Sequence, residues 1–440
     1  MLHQLSKGDI NMKNKILTVT ILLSLIFLFN ANKSFADDIN RIEGMCGENA
    51  VWSYNKETKT LIVSGNGTVT ASGISLISDN INTLVVEGSI NTIGENAFKG
   101  IKVSHIELKE GIRKIENYAF YNCIGPKKIV IPKSVTRIGS GIFELSQGFN
   151  NVTILGDVSV GISTFGALYS PVDILEVAGK IDNMANIMMS SEGAAPEVRF
   201  INDNKNYSMV NDIIMSKDKK VVYALNGRKN ITKIKMPVSV KKIKPYAFYM
   251  RGLKSVQLNK NLKYIGEKAF YHNNIQKITI PKNVKSIGKS AFAYNQLTKL
   301  NFKGNSLIKI EEEAFYENEK GLKNVVLYNY PRLEKRAFDG NVVIEYEAVK
   351  KIAGTIIKVN IKHRRSKYAV AVKKKNESPI KCRIIFKYGK NKKNIVINLP
   401  KNKKEKKEMM KMKRMSYRVK HKVYVQFKKK GRWQKKIRML

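Results

Sequence analysis

The sequence contains few of the side chains that most catalytic and metal sites use. Among 440 residues there are only three cysteines and five histidines. The chain lacks the His-Glu-x-x-His, Gly-x-Ser-x-Gly and Cys-x-x-Cys motifs as well as a phosphate-binding glycine loop. The histidines are scattered, at His3, His105, His272, His363 and His421. We therefore predict that the protein is not an enzyme, has no catalytic or metal-ligating residues and binds no cofactor.

Each of the three cysteines has a structural interpretation. Cys123 occupies a turn position that asparagine fills in other parts of the chain, which favours a structural role over that of a nucleophile. Cys46 is interpreted as a small packing residue and Cys382 as a core residue of a strand. One disulfide is possible, but the spacings do not identify a pair.

Only one long apolar run is present, near the N-terminus. Lys-Asn-Lys at 13–15 is followed by an apolar run over 16–29 and by Ser34-Phe-Ala36. This order predicts a secretory signal peptide over residues 1–36, cleaved after Ala36. The run is short for a membrane span, and a buried first helix is the alternative. Met12 is an alternative start. We expect no transmembrane span and an extracellular protein, on the cell surface or associated with the cell wall.

A phenylalanine recurs at a fixed interval in two blocks of the chain. Its positions are Phe98, Phe120 and Phe143 in the first block, and Phe248, Phe270, Phe292, Phe315 and Phe338 in the second. The steps within each block are 22 or 23 residues. A repeat of this length predicts a solenoid, in which each unit buries its apolar face against its neighbours.

Each repeat carries the same pattern around its phenylalanine. Apolar residues lie five and, in nearly every copy, eight positions before it, and alanine directly precedes it except at Ile142. Further upstream, alternation such as that of Ile278 and Ile280 predicts a short strand with one buried face. Three residues after the phenylalanine, several copies place a small polar side chain that would satisfy turn backbone groups. These residues are Cys123, Asn273, Asn295, Asn318 and Asn341.

One strand, one turn and one apolar return in 22–23 residues describe a leucine-rich repeat. The phrase Ile-Pro-x-x-Val-x-x-Ile-Gly-x-x-Ala-Phe at 280–292 resembles the BspA-like leucine-rich repeat of bacterial surface proteins. Residues 46–54 and 60–67 resemble the β-rich segment that opens such proteins, and 204–223 is similar to their β-hairpin insert. The resemblance covers roughly residues 46–345 and implies a binding scaffold.

The predicted fold is mostly β with short turns or helical returns. A leucine-rich-repeat solenoid is expected between an N-terminal β cap and a small, basic, β-sandwich-like domain. The predicted segments are a signal peptide (1–36), the N-terminal β cap (37–80), a first repeat block (81–149), degenerate repeats with the β-hairpin insert (150–230), a second repeat block (231–345) and a Lys-rich basic β domain (346–440).

Positive charge is concentrated in the last ninety residues. Residues 351–440 contain 33 Lys or Arg against 3 Glu, which is +30 of the formal net charge of +45. Strand-like runs separated by lysine-rich turns predict five to seven strands there. Because such a charge repels itself, it indicates an anionic partner. We expect residues 350–440 to bind an anionic cell-wall polymer or an acidic polysaccharide. Anionic lipid and extracellular DNA are alternatives, without specific nucleic-acid recognition, and so is a generally basic composition with no polyanion partner.

The outward positions of the short strands form the candidate binding surface, because stacked strands line up as a sheet on the expected concave face. The candidates are Glu107, Lys128, Val130, Lys233, Lys235, Gln257, Lys277, Thr279, Lys299 and Asn301. A solvated surface without a ligand is the alternative interpretation of this row.

Three functions are compatible with the sequence. We favour a surface protein whose repeats bind a host or neighbouring-cell protein while the basic domain attaches to the envelope. The second possibility is a wall-associated spacer without a specific ligand. The third is an enzyme acting on wall polymer through carboxylates scattered over 150–230, namely Asp157, Asp173, Glu176 and Asp182.

Overall fold

The structure is a computed structural model of the 440-residue chain. It describes residues 40–74, 81–165, 171–188, 195–227, 230–304, 308–318, 321–328, 332–339 and 342–344, and from 345 onward the backbone of the strands alone. The predicted signal peptide, the side chain of Cys382 and Asn341 lie outside the described residues.

An antiparallel meander precedes the repeats. It consists of β1 (Arg41–Met45), β2 (Ala50–Asn55) and β3 (Thr60–Val69), paired in that order. Every second residue of β2 is buried, which places Trp52 and Tyr54 on the core side. β3 then pairs in parallel with both strands of the first coil, so the meander is continuous with the solenoid. That it shields the end of the stack stays a prediction.

Coils of the first block contribute short strands that stack into two ladders. The first ladder consists of β4 (Thr83–Val86), β6 (His105–Leu108), β8 (Lys128–Ile131), β10 (Asn151–Ile154), β12 (Ile174–Val177) and β14 (Glu197–Phe200). The second ladder consists of β5 (Ser89–Ile93), β7 (Lys114–Ile115), β9 (Arg137–Ile138), β11 (Val158–Val160) and β13 (Ile181–Asp182), after which the chain forms α1 (Met184–Met188). Strands that pair do so in parallel, as a solenoid of stacked coils requires.

The coils continue beyond Phe143, the last marker phenylalanine of the first block. β10, β12 and β14 pair in parallel with register preserved. Phe165 lies 22 residues after Phe143, is fully buried and has its ring 6.3 Å from that of Phe143. The repeat pattern missed this copy because Thr164 and Asp157 replace the alanine and the aliphatic residue that most other copies carry.

The second block repeats the two-ladder plan. Its first ladder consists of β18 (Lys233–Lys235), β20 (Ser255–Gln257), β22 (Lys277–Ile280), β24 (Lys299–Phe302) and β26 (Asn324–Tyr328). Its second ladder consists of β19 (Lys242–Ile243), β21 (Tyr264–Ile265), β23 (Ser286–Ile287), β25 (Lys309–Ile310) and β27 (Arg332–Leu333).

A second antiparallel meander joins the two blocks. It consists of β15 (Tyr207–Val210), β16 (Ile213–Ser216) and β17 (Val221–Leu225), in the region that resembles the β-hairpin insert. β17 starts the second ladder of the second block by pairing in parallel with β19. The apolar core divides here, since Ile214 and Ala224 pack with the first block and Ile213 and Met215 with the second.

The marker phenylalanines stack along the core. The Phe248, Phe270 and Phe292 rings follow one another at 5.0 Å and are nearly parallel. The column continues to Phe315 at 5.3 Å and to Phe338 at 5.1 Å. These spacings follow the distance between neighbouring strands, about 4.8 Å. A residue repeated once per coil therefore packs against its own copies.

Tight turns on both sides hold each phenylalanine inward. Around Phe248, Tyr246 has φ 60° and Met250 has φ 53°. Around Phe143, Gly141 has φ 57° and Leu145 has φ 58°. This left-handed region is uncommon for residues other than glycine. Tyr246, Met250 and Leu145 are therefore strained, and this conformation allows the chain to reverse direction within a few residues.

The C-terminal segment forms strands in two five-stranded sheets. The strands are β28 (Val343–Ile352), β29 (Thr355–Arg364), β30 (Lys367–Lys374), β31 (Ile380–Tyr388), β32 (Asn391–Leu399), β33 (Glu405–Lys411), β34 (His421–Lys429), β35 (Arg432–Trp433) and β36 (Ile437–Arg438). One sheet has the order β26-β28-β29-β30-β33; in the other, β34 pairs with β31, β35 and β36, and β31 with β32. β28 runs across the predicted boundary at 345/346. A sandwich arrangement of the two sheets stays a prediction.

Candidate binding surfaces

The predicted surface residues lie on the first ladder, and all are exposed except Thr279, which is half-buried. In the first block, Lys128 pairs with Asn151 and Val130 with Thr153. In the second block, Lys277 pairs with Lys299 and Thr279 with Asn301 across β22 and β24. Lys233 and Lys235 of β18 face Ser255 and Gln257 of β20. The alternation of buried and exposed residues that was read from the sequence is present in these strands.

The structure brings these residues together as two patches, one in each block. Between the patches, the Asn226 side chain forms hydrogen bonds with the backbone of Val198, as a neighbouring strand would. Its oxygen accepts from the Val198 N–H at 2.8 Å, and its amide donates to the Val198 carbonyl at 3.2 Å. Close by, the half-buried Arg251 guanidinium donates to the Gly227 carbonyl, and desolvation lowers the pKa of Arg251. The second meander therefore separates the candidate surface residues of the first block from those of the second.

The patch of the first block is electrostatically compensated. Glu107 forms an ion pair with Lys109 on the same coil. Further along the ladder, the Thr153 hydroxyl donates to Glu176 at 2.7 Å. An exposed ion pair such as that of Glu107 and Lys109 stabilises by about 0–1 kcal/mol. Glu107 and Glu176 equal Lys109 and Lys128 in number, so this patch presents little net charge to a partner.

The patch of the second block is cationic. Lys233, Lys235, Lys277 and Lys299 are exposed, and within the described residues none of their ammonium groups has a carboxylate within 4.0 Å. Lys277 and Lys299 are direct cross-strand partners. Like charges in such a pair are destabilising. Folding therefore gains nothing from this arrangement, whereas an acidic partner would relieve the repulsion.

A column of buried asparagines supports this patch from inside. The Asn295 amide donates to the Phe270 carbonyl at 2.8 Å, and its oxygen accepts from the Ile275 N–H at 3.1 Å. Asn273 and Asn318 make equivalent bonds in neighbouring coils. Buried backbone groups need such partners. The predicted role of these asparagines in satisfying turn backbone groups is confirmed.

Other residues fill the same position in the first block. The Cys123 thiol contacts the Phe98 carbonyl at 2.9 Å. One coil later, the Ser146 hydroxyl donates to the Phe120 carbonyl at 2.7 Å and accepts from the Cys123 N–H at 2.9 Å. Ser146 lies three residues after Phe143 and was missed in the sequence, although its spacing identifies it. Cys123 is thus part of the turn structure.

The described residues do not assemble a reaction centre. Burial raises the pKa of Cys46 to about 11 and that of Cys123 to about 12, so both thiols stay protonated and are poor nucleophiles. The carboxylates considered for catalysis serve separate structural contacts. Asp157 accepts from the Lys180 N–H at 2.7 Å, and Asp182 pairs with the Lys180 ammonium at 2.7 Å. In this part of the chain no group of three or more His, Cys, Asp or Glu is placed to hold a metal ion.

Stacked parallel coils of 22–23 residues with an inward phenylalanine column define a leucine-rich-repeat solenoid. The BspA type Leucine rich repeat region matches residues 76–177 and 222–345, in six copies. The matched ranges cover just over half of the chain, and the protein belongs to this family. No curated protein matches the chain. In the part of the chain that the structure describes, no helix has the length and apolarity that a membrane span needs.

Three solved bacterial proteins align with parts of this chain at TM-scores below 0.5. A leucine-rich repeat protein from Eubacterium ventriosum shares 21% identity at a TM-score of 0.44, over 65% of this chain and 78% of that one. The pneumococcal vaccine antigen PcpA shares 17% at a TM-score of 0.38, over 67% and 78%. A leucine rich cell surface protein from Faecalibacterium prausnitzii shares 14% at a TM-score of 0.31, over 60% and 95%.

Proposed function

We propose that the protein is an exported surface scaffold that binds a protein of a host or neighbouring cell. The cationic patch of the second block carries this proposal, because Lys233, Lys235, Lys277 and Lys299 are exposed without carboxylate partners in the described structure. A partner with an acidic surface matches this charge. Electrostatic complementarity of this kind accelerates association and selects against basic partners.

The proposal assigns envelope attachment to residues 350–440. Their charge of +30 over residues 351–440 matches an anionic cell-wall polymer or an acidic polysaccharide. Attraction to such a polymer arises largely from the release of its counterions and weakens steeply with salt. Most of these cations are lysines, which suit diffuse charge attraction better than bidentate recognition of single groups. The predicted signal peptide supports export.

The test is saturable binding of the protein lacking residues 1–36 to host cells and to neighbouring bacteria. A variant with Lys233, Lys235, Lys277 and Lys299 replaced by glutamine is expected to bind more weakly, chiefly through slower association. The matched control replaces four other exposed lysines, Lys56, Lys59, Lys114 and Lys133, and is expected to bind normally. Absence of saturable binding would favour the spacer function, and equal loss in both variants would overturn the assignment of the patch.

A further inference from the structure

The second repeat block is itself strongly basic. Residues 231–304 contain 16 Lys or Arg, and Glu267 is their only acidic residue, which gives a formal net charge of +15. Residues 81–149 of the first block contain nine Lys or Arg against six Glu, a net charge of +3. Both blocks fold in the same way, so the architecture does not require this charge.

Part of the charge is aligned along the second ladder. Lys220, Lys241, Lys263 and Lys285 lie on successive coils at the same position, and we call them the lysine column. Backbone hydrogen bonds link them in order: Lys241 N–H to the Lys220 carbonyl at 2.8 Å, Lys263 to Lys241 at 2.8 Å, and Lys285 to Lys263 at 2.7 Å. Neighbouring members are therefore one strand spacing apart, about 4.8 Å.

The centre of the lysine column lacks intramolecular counter-charges. Lys220, at one end, pairs with Asp218 at 2.9 Å. Lys309, on the coil that follows the column, pairs with Glu311 at 2.7 Å. Lys241, Lys263 and Lys285 are exposed, and no described carboxylate lies within 4.0 Å of their ammonium groups. Three cations are thus aligned in a row without a counter-charge among the described residues, and an external anion would neutralise them.

The first block provides an internal comparison. Asn91, Arg113 and Thr136 occupy the same ladder position there, linked by the same backbone hydrogen bonds. The fold therefore accepts neutral side chains at this position. Because stacked lysines repel one another, their presence on consecutive coils of the second block points to binding.

We propose that the lysine column binds a linear phosphodiester polymer of the cell wall, laid along the solenoid axis. Lysine is a compact point charge that binds phosphate oxygens singly, whereas arginine is favoured where a planar anion is held by two bonds. A row of single lysines fits a flexible chain with one charge per unit. Tyr264, 42% exposed and paired in register with Lys242 and Ser286, adds an apolar surface for the carbon chain between phosphates.

The aromatic side chains of the second block favour this polymer over a nucleic acid. Single-stranded nucleic acids bind by stacking bases on exposed ring faces. The Tyr249 and Tyr271 rings of the second block cover each other, with centroids 5.2 Å apart and an 8° angle between planes. The Tyr294 ring lies 5.1 Å from that of Tyr271 and is tilted against it by 54°. Tyr264 is paired with Lys242 and Ser286, so the column offers one exposed ring and not a row of stacking rings. The proposed site is separate from residues 350–440 and from the cationic patch of the first ladder.

Lysine footprinting on the whole chain tests the site directly. The protein is modified with an amine-reactive reagent, with and without poly(glycerol phosphate), and the rate at each lysine is read by mass spectrometry of peptides. Selective slowing at Lys241, Lys263 and Lys285 is expected, with Lys277 and Lys299 of the first ladder as unchanged controls. Protection confined to residues 350–440 would overturn this inference and leave the envelope attachment intact. Equal protection by a carboxylate polymer or by single-stranded DNA would overturn the assignment to a phosphodiester wall polymer.

A variant with Lys241, Lys263 and Lys285 replaced by glutamine gives an independent measure. Each lost phosphate contact lowers the slope of log affinity against log salt by about 0.7, so three lower it by roughly two. Between about 50 and 200 mM salt, the affinity of this variant is then expected to fall roughly 20-fold less than that of the unaltered protein. The control replaces Lys233, Lys277 and Lys299 and is expected to keep the original slope. Equal slopes in all three proteins would overturn the proposal.

Discussion

Replacing Asn295 by alanine is expected to destabilise the second block strongly. The change removes the donor to the Phe270 carbonyl and the acceptor for the Ile275 N–H, and Asn295 is 7% exposed. Two backbone groups then stay buried without partners, at a cost of about 1–3 kcal/mol each. The expected loss of unfolding free energy is therefore about 2–6 kcal/mol. Because repeat arrays can open locally, amide hydrogen exchange at Ile275 is the appropriate readout, together with the urea midpoint.

The matched control is its neighbour Gln296. Its exposed side chain donates to the Asn274 side chain at 3.1 Å, and surface substitutions of this kind change stability by up to about 0.5 kcal/mol. If Asn295→Ala costs no more than Gln296→Ala, the asparagine column does not hold the turns. Faster exchange at Ile275 in the Asn295 variant alone would support its role.

Three further outcomes follow from the core and the turns. Phe292→Ala, which opens the phenylalanine column between rings at 5.0 and 5.3 Å, is expected to cost about 3–5 kcal/mol in urea unfolding, and a loss below 1 kcal/mol would contradict a continuous column. Burial raises the pKa of Cys46 and Cys123 to about 11 and 12 from 9.0. Stability is therefore expected to hold below about pH 9 and to fall towards pH 11–12. Both thiols should react with a thiol reagent at pH 8 only on unfolding, and rapid reaction of either of these two in the native protein would contradict their burial. Leu145 has a left-handed backbone conformation, and Leu145→Gly removes its steric cost of about 1–2 kcal/mol. The greater backbone freedom of glycine in the unfolded state costs about 0.4–1 kcal/mol, so the thermal midpoint of the variant should stay equal or rise. A clear fall would contradict strain at this turn.

Much of the solenoid is predictable because each coil repeats the same contacts. The inward position of Phe270 and Phe292 can be predicted from the sequence, because a residue that packs against its own copies must recur once per coil. The polar turn position, three residues after the phenylalanine, was predictable for the same reason. Where a coil substitutes other residues, as Thr164 and Asp157 do around Phe165, the period disappears from the sequence while strand pairing continues.

The candidate surface was only partly predictable. Alternation along a strand identifies outward residues, so Lys277 and Asn301 were placed on the exposed side. The division into two patches depends on the contact between Asn226 and Val198, residues 28 positions apart, which no local pattern encodes. The lysine column was visible as a 22-residue spacing of Lys241, Lys263 and Lys285, but only the strand register shows that these lysines are neighbours.

Envelope binding in increasing salt most directly tests the proposal that residues 350–440 attach to the envelope while the first ladder binds another partner. Two whole-chain variants are compared with the unaltered protein, each carrying four lysine-to-glutamine changes: Lys401, Lys403, Lys404 and Lys406 in the basic segment, or Lys233, Lys235, Lys277 and Lys299 on the first ladder. The unaltered protein should be released by about 0.5 M salt, because counterion release opposes binding as salt rises. The basic-segment variant should leave the envelope at lower salt, while the first-ladder variant should follow the unaltered protein. Release of the first-ladder variant at lower salt, with normal retention of the other, would make the first ladder the attachment surface and contradict the account.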